Sequence, residues 1–510
     1  MKLQKMLFSG AALLAVSTSA FAQQALPQAN DPYFKSAQAQ LNERLALKPN
    51  TGAAKNIILL IGDGMGIAMV TASRIYDGQK RGVDGVSNKL AFETLPYSAL
   101  SRTYSTDAQV TDSAPSATAM TTGVKTRNDI LGLNSDAVLK DCAGAKGKEV
   151  TTIFEMAEAA GKSTGAVTTT RITHATPAAA YAHSANRDWE NNKQLGDAAA
   201  QGCKDIADQL VNWPAGDGFE IALGGGRSNF LTAETADPED EGKMGERTDK
   251  RDLTKEWITK DNNHVVVYDK AALDAVDIKS GAKILGLFER SHMHYEADRA
   301  KDKLGEPSLA EMSKLAVERL SQDTDGYVLM IEGGRIDHAE HEGNAARALE
   351  DTLAFNEAVK QVLSMTNAED TLVIVTADHS HTMTIAGYPK RDNPILGLVT
   401  DVDGKKILGS DGKPYTTLSF ANGPGGVFPK LEEGQTAAQA LPAGVRPDLS
   451  DVDTESVDFI QQAGVHLASE THGGEDVAIY ASGPQAYLFG GTVDEQYIYH
   501  VMSQASGLGK

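Results

Sequence analysis

The chain has 510 residues, of which 41% are hydrophobic, enough apolar side chains for one large core or for a core with insertions. Its formal net charge of -21 excludes recognition of nucleic acid through a basic surface, so we expect no nucleic-acid-specific binding. Because this acidic balance repels anions, binding of phosphate would require cations placed locally.

The first 22 residues have the pattern of a secretory signal peptide. Lys2 and Lys5 supply the charged end, residues 6–16 are largely apolar, and residues 20–22 (AFA) form a small-x-small cleavage site. We therefore expect cleavage after Ala22 and a periplasmic or secreted protein; the alternative is a structured N-terminal helix. The apolar run is too short to span a bilayer and no second long one follows, so no membrane anchor is expected.

Apolar strands alternate with amphipathic helices along most of the chain, which predicts an α/β fold. Runs such as NIILLI, YVLMI and TLVIVT are apolar throughout, as is typical of parallel strands buried on both faces. We predict strands at 56–61, 163–170, 219–223, 327–331, 371–376, 477–481 and 486–489, and helices at 31–47, 150–161, 203–211, 308–320, 344–363 and 495–502. The fold class is therefore a three-layer α/β/α sandwich around a large, mostly parallel central sheet.

The pattern changes after about residue 384, where Gly, Pro and Asp interrupt short β-like pieces. We interpret this part as an insertion subdomain. The predicted organisation is a signal peptide at 1–22, an N-terminal extension at 23–50, a catalytic core at 51–383, the insertion at 384–456 and the end of the core at 457–510.

The stretch from Val110 to Gly123 (VTDSAPSATAMTTG) places Ser113 at a predicted helix start. Pro115 suits the first helical position, where its missing N–H costs nothing. Free backbone N–H groups and the helix dipole would favour an anion beside Ser113. For this string alone, an ordinary serine helix cap remains the alternative.

Carboxylates and histidines follow three of the apolar strands. The carboxyl ends of strands in an open α/β sheet converge on one crevice, so these side chains should meet. Any one of them alone would be a turn former, a helix cap or a packed histidine. Asp337 and His341 stand four residues apart and would share a helical face, suited to a metal ion. The joint pattern predicts a multinuclear metal site from Asp63, Glu332, Asp337, His338, His341, Asp378, His379 and His472.

The chain has two cysteines, Cys142 and Cys203. An even number in an exported chain suggests one disulfide, and two buried free thiols are the alternative.

Six blocks of this sequence resemble the alkaline phosphatase family, in order, from about residue 56 to the C-terminus. The resemblance is weak only in the insertion. Its position implies that the insertion is the crown-like subdomain of the family. The blocks are NIILLIGDGMG, VTDSAPSATAMTTGVKT, HATPAAAYAHSANR, EGGRIDHAEHEG, VIVTADHSH and SETHGGEDV.

The resemblance implies that Ser113 is a nucleophile that becomes transiently phosphorylated and that Arg187 clamps the phosphoryl oxygens. It implies two Zn²⁺ ions and one Mg²⁺ ion, small phosphomonoester substrates and a homodimer. The implied ligands are Asp337, His341 and His472 for one zinc, Asp63, Asp378 and His379 for the other, and Asp63, Thr176 and Glu332 for magnesium. The residues implied beside them or on the substrate side are Asp112, His174, His338 and His381.

Residue chemistry agrees with this allocation. Imidazole with carboxylate suits zinc, and an all-oxygen set suits magnesium. The planar guanidinium of Arg187 can donate two parallel hydrogen bonds to phosphate, which a lysine cannot do.

His174 and His338 stand where enterobacterial members have Asp and Lys, so the chain resembles animal and some marine bacterial members, as does its cysteine pair. This leaves the identity of the third metal open. The block GLFERSHMHYE adds a weaker resemblance to animal members, whose implication is a Ca²⁺ site; a solvated acidic loop is the alternative. The calcium residues would be the carbonyl of Phe288 with Glu289, Glu306 and Glu239.

The sequence fits three other functions less well. A sulfatase would need an arginine shortly after the nucleophile, which SAPSA at 113–117 lacks, and related phosphodiesterases commonly use threonine and lack the third-site residues. An exported metal or phosphate store would not need a nucleophile between two metal clusters. The sequence therefore predicts an exported, zinc-dependent phosphomonoesterase with broad substrate scope and an alkaline optimum.

Overall fold

The computed structural model describes residues 26–427 and 446–509. The predicted signal peptide and residues 428–445 of the predicted insertion lie outside these ranges. The described residues divide into two compact units, with the boundary between Lys48 and Pro49. The first unit contains helix α1 (Pro32–Ala46), which Asp31 caps by accepting hydrogen bonds from two backbone N–H groups. The helix predicted at 31–47 is confirmed.

The second unit is built on a ten-stranded sheet, which confirms the predicted fold class. The strands of the chain are β1 (Asn56–Gly62), β2 (Tyr97–Arg102), β3 (Ser163–Arg171), β4 (Ile221–Gly225), β5 (His264–Val267), β6 (Lys283–Leu287), β7 (Tyr327–Gly333), β8 (Thr371–Thr376), β9 (Ser380–His381), β10 (Met383–Ile385), β11 (Leu418–Gly423), β12 (Ala463–His466), β13 (His472–Gly473), β14 (Val477–Ser482) and β15 (Thr492–Asp494). The sheet order is β15-β2-β14-β8-β1-β7-β3-β4-β6-β5, and only β14 runs antiparallel to its neighbours. The apolar strands predicted at 56–61, 327–331 and 371–376 lie together at its centre.

Helices cover both faces of this sheet. They are α2 (Ile67–Lys80), α3 (Ser113–Thr122), α4 (Cys142–Ala145), α5 (Ile153–Ala159), α6 (Ala175–Ala178), α7 (Asn192–Leu195), α8 (Ile206–Val211), α9 (Leu253–Ile258), α10 (Lys270–Asp274), α11 (Leu309–Leu320), α12 (Arg335–His341), α13 (Ala345–Met365) and α14 (Tyr497–Ser506). Successive residues of β1 point to opposite faces, so Ile57 and Leu59 join one core, with α3, α5 and α14. Ile58 and Leu60 join the other, with α2, α11 and α13. Two cores separated by one sheet make the three-layer sandwich.

A small sheet of β10, β11 and β12 lies within the second unit. β10 spans the predicted start of the insertion at 384 and β11 lies within the insertion, whereas β12 begins seven residues after the predicted boundary at 456. A separate two-stranded ladder, β9 with β13, pairs His381 with His472 across 91 residues of chain. This ladder brings the late histidine block to the end of β8.

One local prediction was wrong. Residues 486–489, predicted as a strand, contain a 3-10 turn at Ala486–Leu488, because Gln485 has a positive φ of 64° and directs the chain into the turn. The strand of this region is β15, a few residues later. The helix predicted near 203–211 is present as α8, but it begins only at Ile206, where the carboxylate of Asp205 accepts the capping hydrogen bond.

Cys142 and Cys203 form a disulfide with a Cα–Cα distance of 5.8 Å, so the predicted pairing is confirmed. In the described ranges, none of the helices is long and apolar enough to cross a membrane.

Candidate active site and metal centre

Ser113 is the first residue of α3 and is only 2% exposed. Asp112 caps this helix, since its Oδ1 accepts a hydrogen bond from the backbone N–H of Ala114 at 2.8 Å. Pro115 is the third helical residue rather than the first, but it still lies in the first turn, where a missing N–H breaks no helical hydrogen bond. Because α3 consists almost entirely of small residues, the whole helix is buried below the serine.

The Oγ atom of Ser113 lies 3.3 Å from Nε2 of His379. The same Nε2 atom lies 3.3 Å from Oδ1 of Asp63 and 3.4 Å from Oδ2 of Asp378. Asp63 follows β1, and the other two residues follow β8, its neighbour in the sheet. The structure therefore brings together the serine and the predicted ligands of one zinc.

A second group lies beside the first, on α12 and β13. Oδ1 of Asp337 lies 3.4 Å from Nε2 of His341 and 3.4 Å from Nε2 of His472. The helical spacing of four residues puts Asp337 and His341 on one face, as predicted. The ring of His472 stacks on that of His379 with centroids 3.6 Å apart, so the two groups touch.

Backbone carbonyls hold the candidate histidine ligands by their other ring nitrogen. Nδ1 of His341 lies 2.6 Å from the carbonyl oxygen of Glu470, and Nδ1 of His472 lies 2.8 Å from that of Thr111. A carbonyl can only accept, so each Nδ1 carries a proton, and Nε2 is the ring nitrogen that remains available to a metal ion. Histidine ligands of metals are typically oriented in this way.

The third predicted group is Asp63, Thr176 and Glu332. Hydroxyls of Thr168 and Thr170 donate to Oε2 of Glu332, the latter at 3.1 Å. The other oxygen, Oε1, has no hydrogen-bond partner in the part of the chain that the structure describes. One ligand atom each from Asp63, Glu332 and His174 lies within 4.8 Å of the others.

Five buried oxygens of the predicted ligands lack any hydrogen-bond partner among the described residues. Buried polar atoms in proteins are normally paired, so this concentration requires a physical explanation. Cations bound between the carboxylates would satisfy all five, and the residues therefore fit the predicted metal set. The five atoms are Oδ1 and Oδ2 of Asp63, Oδ2 of Asp378, Oε1 of Glu332 and Oγ1 of Thr176.

The electrostatics of the carboxylates agree with that fit. Burial, and then the charges of Asp378, Asp337 and Glu332, raise the pKa of Asp63 well above its usual value. Burial likewise raises the pKa of Glu332 to about 7. Burial opposes ionisation of Asp337 too, but His341 and the other histidines around it outweigh this and lower its pKa. Carboxylates crowded in this way ionise together only when cations neutralise them.

Arg187 contacts Asp112, the residue before Ser113, and is held from two sides. Its Nη1 donates to Oδ1 of Asp112 at 2.9 Å, and its Nη2 lies 3.0 Å from Nε2 of His174. These contacts fix the plane of the guanidinium and place a cation in the otherwise anionic site.

His174 and His338, predicted beside the third metal, belong to a cluster of three histidines that the sequence did not reveal. The third member is His292, whose ring centroid lies 4.1 Å from that of His338 and 5.2 Å from that of His174. Nη1 of Arg171 lies 2.5 Å from Nε2 of His292, and Nη1 of Arg335 lies 3.0 Å from Nδ1 of His338. Burial, followed by nearby cations, lowers the pKa of all three histidines, so the cluster is neutral.

His381 contacts Asp337, as its predicted place beside the ligands requires, with 2.7 Å between Nε2 and Oδ1. Its Nδ1 lies 2.5 Å from Oε2 of Glu470, a buried carboxylate that sequence reasoning missed. The only sequence signal for Glu470 is its place two residues before His472 in the block SETHGGEDV.

The four residues of the predicted calcium site contact two cationic side chains. Arg227 donates to the carbonyl of Phe288 at 3.2 Å and to Oε2 of Glu239 at 3.1 Å. Nδ1 of His294 lies 3.1 Å from Oε1 of Glu289 and 3.6 Å from Oε1 of Glu306. The group is therefore assembled, but its negative charge is partly neutralised by the protein itself.

The fold and the site define an α/β protein with a buried serine hydroxyl beside a candidate multinuclear metal centre. A family model described as alkaline phosphatase matches residues 54–508. The chain belongs to the alkaline phosphatase family and is therefore a phosphoric monoester hydrolase.

Individual relatives agree with this assignment. The tissue-nonspecific isozyme of alkaline phosphatase from Gallus gallus is 42% identical over 493 residues, covering 94% of this chain and 90% of that protein. The alkaline phosphatase of Gadus morhua is 41% identical over 486 residues, covering 93% and 96%. The crystal structure of Thermus thermophilus alkaline phosphatase matches with a TM-score of 0.62 and 26% identity, covering 91% of this chain and 93% of that one.

Proposed function

We propose that this protein is an exported phosphomonoesterase that works through a phosphoserine intermediate on Ser113, with two Zn²⁺ ions and a third, Mg²⁺, site. The observation that carries the proposal is the set of five buried oxygens without a hydrogen-bond partner among the described residues, two of whose carboxylates, Asp63 and Asp378, contact the His379 nitrogen that faces the Ser113 hydroxyl. A serine placed only to cap or pack a helix would not need a group of carboxylates and histidines around its Oγ atom.

One zinc would be held by Asp337, His341 and His472, and the other by Asp63, Asp378 and His379. Both sets combine imidazole and carboxylate, which suits Zn²⁺. When bound, the two ions supply Lewis acidity to the attacking and leaving oxygens of the substrate.

Ser113 supplies the nucleophile. Its Oγ attacks phosphorus, the bond from phosphorus to the alcohol oxygen breaks, and the alcohol leaves with a proton. Water then attacks the phosphoserine, inorganic phosphate leaves, and the serine hydroxyl is restored. Because Ser113 opens α3, the phosphoryl group would also lie at the positive end of a buried helix.

Arg187 binds and orients the phosphoryl group. Its two terminal nitrogens match two phosphoryl oxygens, and Asp112 and His174 hold them in one plane before substrate arrives. This preorganisation lowers the entropic cost of binding.

The third site would use Asp63, Thr176 and Glu332, all oxygen donors, for Mg²⁺. A solved structure of a variant of the TAB5 alkaline phosphatase has Mg bound in the site called M3. We assign the third metal here by its donor chemistry, with a ring nitrogen of His174 within 4.8 Å of an oxygen of Asp63 and of Glu332.

Export, dimerisation and calcium binding complete the proposal. A disulfide is typical of oxidising compartments and supports a periplasmic or secreted protein. The homodimer rests on the family, and the calcium site on Glu239, Phe288, Glu289 and Glu306. Calcium would have to displace Arg227 or His294, so its addition should raise the melting temperature only weakly.

The test is hydrolysis of a phosphate monoester, a diester and a sulfate ester side by side. Each is measured before and after chelation, with zinc and magnesium restored separately. We expect the protein to hydrolyse the monoester in preference to the other two esters. Chelation should abolish this activity, zinc should restore it, and magnesium should increase it further. Preference for the diester, or activity indifferent to the chelator, would overturn the proposal.

A further inference from the structure

Glu470 is not among the three proposed ligands of the candidate zinc site, which are Asp337, His341 and His472. It contacts His341 directly and reaches Asp337 through His381. Its carbonyl oxygen accepts from Nδ1 of His341 at 2.6 Å, and its own N–H donates to the carbonyl of His341 at 2.9 Å. Through these two bonds the backbone at position 470 fixes the end of α12 and the plane of the His341 ring.

The side chain of Glu470 connects to Asp337 through His381. Oε2 lies 2.5 Å from Nδ1 of His381, whose Nε2 lies 2.7 Å from Oδ1 of Asp337. Glu470, His381 and Asp337 therefore form a continuous chain of hydrogen bonds, which sets the direction of the Asp337 carboxylate.

The rest of the Glu470 carboxylate is also bonded, so the side chain cannot rotate freely. Oε1 accepts from the backbone N–H of Thr382 at 2.7 Å and from the hydroxyl of the same residue. Glu470 is 1% exposed. The two carboxylate oxygens accept from Thr382 and from His381. An amide in their place keeps only one acceptor oxygen, so Glu470→Gln loses the acceptor that faces either Thr382 or His381.

The segment that carries Glu470 is itself fixed by the small sheet. The side chain of Asn422 on β11 bonds the backbone N–H and the hydroxyl of Thr471, both at 3.0 Å. Gly423 has a φ of 134°, and a Cβ atom there would lie 3.1 Å from Cβ of Glu470. The small sheet therefore packs directly against the residue that holds the zinc ligands.

We propose that Glu470 is a positioning residue that tunes the affinity and geometry of this one zinc site; the inference rests on the proposed function, since it presumes zinc at Asp337, His341 and His472. Hydrogen-bonded partners behind metal ligands commonly control affinity ten- to hundredfold. The second zinc site shares none of the Glu470 bonds, so its affinity should not change.

The experiment compares Glu470→Gln with wild type and with Glu475→Gln, a matched change of an exposed glutamate on the same segment. Zinc affinity is measured by competition with a chromogenic chelator, and cobalt-substituted protein is followed by its visible spectrum. We expect one metal equivalent of Glu470→Gln to bind roughly ten- to hundredfold more weakly, with altered absorption of one cobalt ion. Glu475→Gln should match wild type.

Unchanged affinity of every equivalent in Glu470→Gln would overturn the proposal. So would equal weakening of all sites, because that is the result of a purely structural defect. If Glu470→Gln does not fold, Thr382→Val removes one hydroxyl donor to the same carboxylate and should weaken the same equivalent to a smaller degree; no selective shift would again overturn the inference. A wild-type protein that binds no zinc would instead refute the proposed function.

Discussion

The hydroxyl of Ser113 lies 3.3 Å from Nε2 of His379, although 266 positions of chain separate the two residues. The contact follows from the sheet order, in which β8 lies next to β1 and both strands end at the same edge. Helix α3 packs on the core below that edge, with Ser113 at its top. The hydroxyl therefore faces the carboxylates and imidazoles that follow the two strands.

Replacement of Ser113 by alanine should abolish the phosphoenzyme and lower kcat at least about a thousandfold, because the variant lacks the proposed nucleophile. The measurement is acid quenching with a ³²P-labelled monoester, followed by counting of protein-bound label. Ser116→Ala is the matched control, since the Ser116 hydroxyl bonds carbonyls within its own helix turn. Labelled phosphate on Ser113→Ala would contradict the assigned nucleophile.

Replacement of Arg187 by lysine should raise KM and the inhibition constant of inorganic phosphate by roughly ten- to a hundredfold. A charge-assisted hydrogen bond contributes about 1.5–3 kcal/mol, and lysine cannot form the paired bonds while also contacting Asp112 and His174. Steady-state kinetics with phosphate as inhibitor measures both constants. Arg81→Lys, at a half-exposed surface ion pair, should leave both unchanged. Wild-type phosphate inhibition in Arg187→Lys would rule out the clamp.

The sequence predicted the centre of the sheet and the convergence of the ligands for a physical reason. A strand buried on both faces must be apolar throughout, and the carboxylates that follow such strands must meet where parallel strands end. Asp63, Glu332 and Asp378 therefore carried a signal that depends only on local pattern. β2 (YSALSR) has no such signal, because one of its two faces is exposed.

His292 and Glu470 were not predicted from the sequence, because their roles depend on tertiary contacts alone. His292 meets His174 and His338 only through the packing of a loop against two other segments. Glu470 acts through a carbonyl and through His381, and neither contact follows from residue type or spacing. Residue chemistry identifies metal ligands, whereas the groups behind the ligands depend on register and loop geometry.

Replacement of His174 by aspartate should strengthen magnesium binding at the third site by about tenfold. A carboxylate adds an oxygen donor and a negative charge beside Asp63 and Glu332, and magnesium prefers oxygen to imidazole. Magnesium activation of the zinc-loaded protein gives the affinity, and elemental analysis gives the metal content. The control is His500→Asp, an exposed position. Unchanged or weaker magnesium activation of His174→Asp would show that His174 does not face the third site.

Glu158, in the last turn of α5, should make the folded protein less stable as pH rises. Burial raises its pKa to about 8, against the lowering effect of the Thr164 hydroxyl 2.5 Å away and with an added rise from the charge of Glu220. In the unfolded chain the carboxyl loses its proton near pH 4.5, whereas the folded protein keeps it until about pH 8. The folded state therefore binds more protons in this window, and stability falls by up to about 1.4 kcal/mol for each pH unit within it.

Glu158→Gln removes this titration and keeps an acceptor for Thr164. Urea unfolding at pH 5, 7 and 9 should give free energies that fall less with pH in the variant than in wild type. The two proteins should be similar at pH 5, and the variant should be more stable at pH 9. Glu149→Gln, at an exposed position, should follow wild type. Parallel curves for Glu158→Gln and wild type would mean that Glu158 is already ionised in the folded protein at pH 5. The burial of Glu158 would then not lower the free energy of unfolding as pH rises.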